Sequence, residues 1–280
     1  MSDPQPTAIT PHTAPESRDS RDAETRVTIA AALFAAIRFL TRLPVPQTTT
    51  SAEQAARELR AGVVAFPVVG TMIGLHSVGV LVLAGYLWPP PVAVLLMLAV
   101  EALLTGAFHE DAVADYCDAF GGGWTRDDIL RIMKDSRQGT YGVLGLTLAV
   151  ALRAALLMSL SGPLLYAALV ASATWGRLVI LFVMWQVPPL TDLASLAKDV
   201  ASRVTGREVC LAAWLAGPGL VVWVLLDPVA TLAALLVTVA FLIWYRSHLL
   251  RTIDGTTGDC LGMSCYAGQL IVLLMSATGR

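Results

Sequence analysis

The sequence predicts an all-α integral membrane protein, a polytopic helical bundle of about six to eight transmembrane helices. Composition is the first ground: of 280 residues, 56% are hydrophobic and 14% charged, against about 25% charged in soluble domains. Mean hydropathy is correspondingly high, at +0.67. The third ground is that the apolar residues gather into runs of roughly 17 to 25, the length that crosses a hydrocarbon core.

Residues 1–27 are rich in Pro, Thr, Ser and mixed charge and hold no apolar signal-peptide core, so they read as a disordered tail. A single polytopic domain, 28–280, follows. Its first apolar segment, 28–44, is short and carries Arg38 and Arg42, which allows it to span, re-enter or lie at the interface. Six secure spans come next, near 62–86, 91–108, 141–161, 164–187, 208–226 and 228–245. The last apolar stretch, 266–277, is again short.

Lys and Arg accumulate in cytoplasmic loops. The turns WPPP, SGP and DP hold no basic residue, whereas Arg57, Arg60, Arg126, Arg131, Lys134, Arg137, Lys198, Arg203, Arg207, Arg246 and Arg251 fall on the other connections. Three helical hairpins are therefore expected to fold outward from one basic, cytoplasmic face. Arg153 and Arg177, inside expected spans, should face the protein interior or snorkel, and His76 should be a packed side chain within its span.

A net charge of −2 from 19 basic and 21 acidic residues gives no attraction to nucleic acid. Cys117, Cys210, Cys260 and Cys265 form no C-x-x-C pair and read as reduced thiols, neither a zinc set nor a disulfide framework.

On the basic face lies HEDAVADYCDAF, 109–120. If the preceding helix continues, Asp111, Asp115 and Asp118 are spaced by four and three residues and share one stripe. Three carboxylates on one stripe repel, and a divalent cation offsets that repulsion; oxygen-only ligands suit Mg²⁺ or Mn²⁺. A solvated acidic turn fits the same spacing. The chain continues RIMKDSRQGTYG, 131–142, where Lys134 and Arg137 are cations and Gly139 and Gly142 permit close backbone approach. Metal-holding acids beside phosphate-holding cations are the parts of phosphoryl transfer, although positive-inside topology alone also places such cations here. A second patch, DGTTGDC at 254–260, is either an ordinary loop or a second half-site. His109 is a candidate general base or a structural histidine.

These stretches resemble the cobalamin synthase family, adenosylcobinamide-GDP ribazoletransferases, from about residue 34 to the C-terminus. FLTRLPVP (39–46) is similar to the family's N-terminal signature and FPVVGTMIG (66–74) to the start of its next helix. GAFHEDAVADYCDAF resembles G-A-x-H-x-D-G-x-A-D-x-x-D-G, IMKDSRQGTYG resembles K-D-S-x-x-G-x-x-G, and DGTTGD resembles G-G-x-T-G-D. Ala112 and Ala119 stand where the family pattern has glycine, which bears on how closely substrate approaches the helix. Glu110 stands for an apolar residue, and Asp254 for the first glycine of the last motif.

The resemblance implies joining of α-ribazole, or its 5′-phosphate, to adenosylcobinamide-GDP, with Mg²⁺ required and GMP released. It assigns Asp111, Asp115 and Asp118 to metal and pyrophosphate, with Asp259 completing the metal set. Lys134, Asp135, Ser136 and Arg137 then contact phosphates or hold the loop, with Arg42 of FLTRLPVP also assigned to substrate. His109 or a neighbouring aspartate takes the proton. The expected setting is a bacterial inner membrane, with the site facing the cytoplasm, lipid around the bundle, and a homo-oligomer compatible with the sequence. Two other readings share some of the chemistry. A CDP-alcohol phosphotransferase would carry D-G-x-x-A-R and G-x-x-x-D-x-x-x-D, which are not present. An ion-coupled transporter would set its acids within spans, whereas these cluster at one face.

Overall fold

The computed structural model describes residues 27–190 and 204–279. The tail expected over 1–27, save its last residue, and the basic residues Lys198 and Arg203 lie outside them. The described residues form helices α1 Ile29–Leu40, α2 Ala52–Gly62, α3 Phe66–Gly85, α4 Pro90–Thr105, α5 Phe108–Gly122, α6 Arg126–Met133 and α7 Thr140–Ser159. These are followed by α8 Gly162–Gln186, α9 Gly206–Leu226, α10 Pro228–Thr252 and α11 Gly258–Ala277.

Helix starts follow local chemistry. Side chains of Thr28, Ser51, Thr125 and Asp227 accept N–H bonds from the first turns of α1, α2, α6 and α10, and Thr205 with Glu208 forms a capping box on α9. Prolines occupy the first turn of α3, α4, α8 and α10, where a missing N–H costs nothing.

Among the described residues, six helices are long and apolar enough to cross a membrane, and a seventh span arises if α4 and α5 are taken together. Two boundaries differ from expectation. The helix of the second span, expected over 91–108, ends at Thr105 and does not continue into the acidic stretch: α4 and α5 meet at a 90° bend. The last stretch is a full 20-residue spanning helix that starts at Gly258, eight residues before the apolar run. Its first turns are polar yet packed, so hydropathy alone cuts it short. α2 runs through a single 3-10 turn, Val63–Ala65, into α3, and α1 has only 12 residues.

α8 is the axis, with 89% of its most apolar stretch buried. α3, α9 and α11 pack around it. Small residues let the backbones close in, as in other membrane bundles. A Cβ on Gly70 would lie 2.5 Å from the Ala173 carbonyl oxygen, and one on Gly176 would lie 2.5 Å from that of Cys265. Gly176→Val is therefore expected to destabilise the bundle by about 1–3 kcal/mol through overpacking, read as a lowered thermal midpoint of the purified protein.

The tight turns between α3 and α4, α7 and α8, and α9 and α10 flank one core cluster that includes Leu81, Ala93, Leu160, Leu164, Trp223 and Ala230. A second cluster, with Tyr116, Met133, Val183, Leu190, Tyr245 and Ile253, lies under the basic connections. His76 departs from its expected packed place. It is exposed on the outer face of α3 and lines a cavity of about 220 Å³ with Ile37, Thr41, Met72 and Leu104. Arg153 and Arg177 are buried, as their place in apolar helices requires.

Candidate active site

The site is built around the break between α4 and α5. Gly106 (φ 72°) and Ala107 (φ 55°) are both left-handed, so the helix stops and restarts. For a residue with a Cβ this conformation costs roughly 1–2 kcal/mol. Local hydrogen bonds offset part of that: the Ala107 N–H donates to the Ala102 carbonyl at 2.7 Å and the Asp111 N–H to that of Ala107 at 2.9 Å. The missing Cβ of Gly106 matters for a neighbour, because one there would lie 2.5 Å from Arg42 Nε. The backbone N–H of Arg42 donates to the Leu104 carbonyl at 2.7 Å, so this guanidinium lies over the restart of α5.

α5 carries the three aspartates in increasing burial: Asp111 is exposed, Asp115 half-buried and Asp118 buried. Asp259 joins them from the first turn of α11, where Thr257 caps the helix by accepting the Cys260 N–H. The charges of Asp111, Asp115 and Asp259 act on one another, so the face repels itself as it stands. α11 is held there by close packing on α5: a Cβ on Gly262 would lie 2.4 Å from that of Ala112. Ala112 and Ala119 are thus buried in helix packing and do not line the approach of substrate.

Asp118, expected among the metal ligands, has both oxygens engaged elsewhere. Oδ2 accepts the Gly139 N–H at 2.6 Å and Oδ1 the Gly142 N–H at 2.7 Å. Gly139 is the N-cap of α7 and brings no side-chain cap of its own. Asp118 supplies that cap from another helix, where the α7 dipole also favours a negative charge. The close approach that the two glycines permit is to this carboxylate, since a Cβ on Gly142 would lie 2.2 Å from Asp118 Oδ2.

The anchored loop returns to the aspartate face through Gln138, whose Nε2 donates to Asp115 Oδ1 at 3.1 Å. Lys134 and Ser136 are exposed. Arg137 grips Asp135 with two nitrogens, Nη2 to Oδ2 at 2.7 Å and Nε to Oδ1 at 3.0 Å. That guanidinium holds the Asp135 carboxyl down at about 2. Asp135 therefore orients Arg137, while the cationic edge faces outward.

His109 does not join the aspartate face. At 3.6 residues per turn it stands about 200° around α5 from Asp111. It is buried among Arg153 and Arg177, edge-on to Phe108 at 5.4 Å, and its Nε2 has no hydrogen-bond partner. Asp254 has φ 58°, the backbone region that glycine adopts freely, which accounts for a glycine in the family pattern at this point. Sequence reasoning missed Gln138 and also Glu101, a carboxylate inside an apolar run; an acid there requires a partner, and that was the available signal.

The donors fit a hard divalent cation in kind, being carboxylate oxygens from two helices with mutual repulsion to offset. They stand open: among the described residues no three His, Cys, Asp or Glu side chains are drawn into a closed cation cage. An open carboxylate face suits Mg²⁺, which keeps several waters and takes substrate phosphate oxygens as further ligands.

The cobalamin-5-phosphate synthase family model matches residues 32–277. The chain belongs to this family. Among its relatives, the adenosylcobinamide-GDP ribazoletransferase of Vibrio parahaemolyticus is 34% identical over 261 residues, covering 92% of this chain and 96% of the relative. The enzyme of the same name from Bradyrhizobium diazoefficiens is 38% identical over 257 residues, covering 91% and 96%. That of Vibrio vulnificus is 37% identical over 242 residues, covering 86% and 92%. No solved structure matches. The family's acidic, K-D-S and T-G-D motifs thus correspond to α5, the loop that Asp118 anchors, and the start of α11.

Proposed function

We propose that this chain is an adenosylcobinamide-GDP ribazoletransferase, joining α-ribazole or its 5′-phosphate to adenosylcobinamide-GDP and releasing GMP. The observation that carries this reading is the assembly of Asp111, Asp115 and Asp259 beside a cationic loop pinned by Asp118. The setting is the inner membrane, with the aspartate face toward the cytoplasm, where positive-inside topology puts the basic connections.

A ribazole hydroxyl attacks the phosphorus attached to cobinamide. The new O–P bond forms as the bond to the GMP oxygen breaks, and the hydroxyl proton passes to a carboxylate of the aspartate face. His109, turned inward, is not that base. Asp111, Asp115 and Asp259 would hold Mg²⁺, which when bound neutralises the diphosphate oxygens. Lys134, Arg137 and Arg42 bind phosphate oxygens from the loop and from the α4–α5 break, and Gln138 orients Asp115. Such positioning and charge neutralisation need no covalent protein intermediate. Neither the lipid phosphotransferase nor the transporter reading has an observation in its favour once the family is known.

The test supplies detergent-purified protein with adenosylcobinamide-GDP and α-ribazole. GMP and a cobalamin product should appear in equal amounts, and chelation of divalent metal should stop both. Equal product formation after thorough chelation would remove Mg²⁺ from the reading; no product from folded protein would remove the reaction.

A further inference from the structure

A group of charged side chains lies buried beneath α5, away from the aspartate face. Arg153 on α7 is 2% exposed and pairs with Glu101 on α4, 4% exposed, at 2.7 Å. The same guanidinium lies 3.9 Å from Glu110 on α5 through its other terminal nitrogen. It also sits over the ring of Tyr266 on α11, 5.9 Å from the centroid. Ser77 on α3 donates to the second oxygen of Glu101 at 2.7 Å, fixing that acid in turn.

Buried ion pairs gain little net stability, because desolvation cancels much of the attraction; their best-attested use is to specify one geometry among alternatives. Geometry is what this region needs. Residues 106–107 bend the chain by 90° between Glu101 and Glu110, and both are left-handed, so the angle is not dictated by helical hydrogen bonding. One guanidinium touches the acid before the break, the acid after it, and the helix that brings Asp259.

We infer that Arg153 is a positioning residue, bridging Glu101 and Glu110 across the helix break so that α5 presents Asp111 and Asp115 to Asp259 at a fixed angle. Glu110, where the family pattern is apolar, is part of this bridge. Its contact is the longer of the two, so the hold on α5 is the weaker half. The role rests on the proposed reading insofar as those aspartates are the working site.

The test uses full-length protein with Arg153→Met, Arg153→Lys and Glu110→Gln variants, compared per folded molecule. Arg153→Met should lower kcat tenfold or more and raise the Mg²⁺ concentration for half-maximal rate several-fold, leaving KM for adenosylcobinamide-GDP within twofold. Arg153→Lys, which keeps the charge, should recover much of the loss, and Glu110→Gln should fall between. Independently of activity, spin labels on Leu103→Cys and Trp124→Cys, both exposed positions on either side of α5, should give a single distance in the parent with Cys117 and Cys210 replaced. That distribution should broaden in Arg153→Met and narrow again in Arg153→Lys. Unchanged distances together with an unchanged metal requirement, the only loss being in folded yield, would overturn the bridge. A parent with the expected narrow distribution and no GMP release would instead overturn the functional reading while leaving the bridge standing.

Discussion

Asp111→Asn is expected to slow GMP release by a factor on the order of 10²–10³, the usual consequence of removing one preorganised charge-stabilising group, while the metal-free protein becomes no less stable than the parent. The two halves have one cause. Asp111, Asp115 and Asp259 press like charges together, a strain that a cation or a neutral amide relieves. Asp111 is exposed, so its carboxylate serves a ligand better than the fold. Rates with and without added Mg²⁺, beside melting in chelator, would measure both halves. An Asn variant that melts early and retains its rate would contradict this account.

Asp118→Ala should show the opposite balance. Its carboxylate accepts two backbone N–H groups while buried, and hydrogen bonds to charged groups are worth about 1.5–3 kcal/mol each. A loss of roughly 3 kcal/mol is expected, with residues 134–142 opened to proteolysis and the start of α7 frayed. Activity falls because Gln138 and the cationic loop leave the aspartate face. Asp118→Asn is no rescue, since one of its two terminal atoms becomes a donor set against an N–H. Melting and limited proteolysis distinguish anchor from ligand: a variant as stable as its parent, with only its metal dependence altered, would return Asp118 to the metal set.

Much of this architecture was legible because long apolar runs admit few alternatives in a bilayer. The break was not. GAFHED reads as an uninterrupted helix, and nothing local in it announces that Ala107 takes a left-handed conformation, in a region where α5 packs on α7 and α11. The early start of α11 was hidden for a related reason: its polar opening, GDCLGMSC, is buried by α5 and α8 and not by lipid. At the site, helical spacing grouped the three aspartates correctly on α5. It could not show that one of them turns to a neighbouring helix. The inward turn of His109 was available from the same helical arithmetic, which sets it across the helix from Asp111. The roles of Ala112 and Ala119 needed the partner helix that covers them.

The placement of Asp259 has a temporal side. The aspartate face takes two members from α5 and another from α11, the last helix described, while the clamp on the loop requires α7. During synthesis, therefore, the acidic helix is made long before its counterpart exists. A chain stalled before α11 carries the loop that Asp118 anchors but lacks Asp259 on the aspartate face. In the proposed reaction the site is complete only once α11 is in place, so chains stalled before it are expected not to discharge the activated nucleotide.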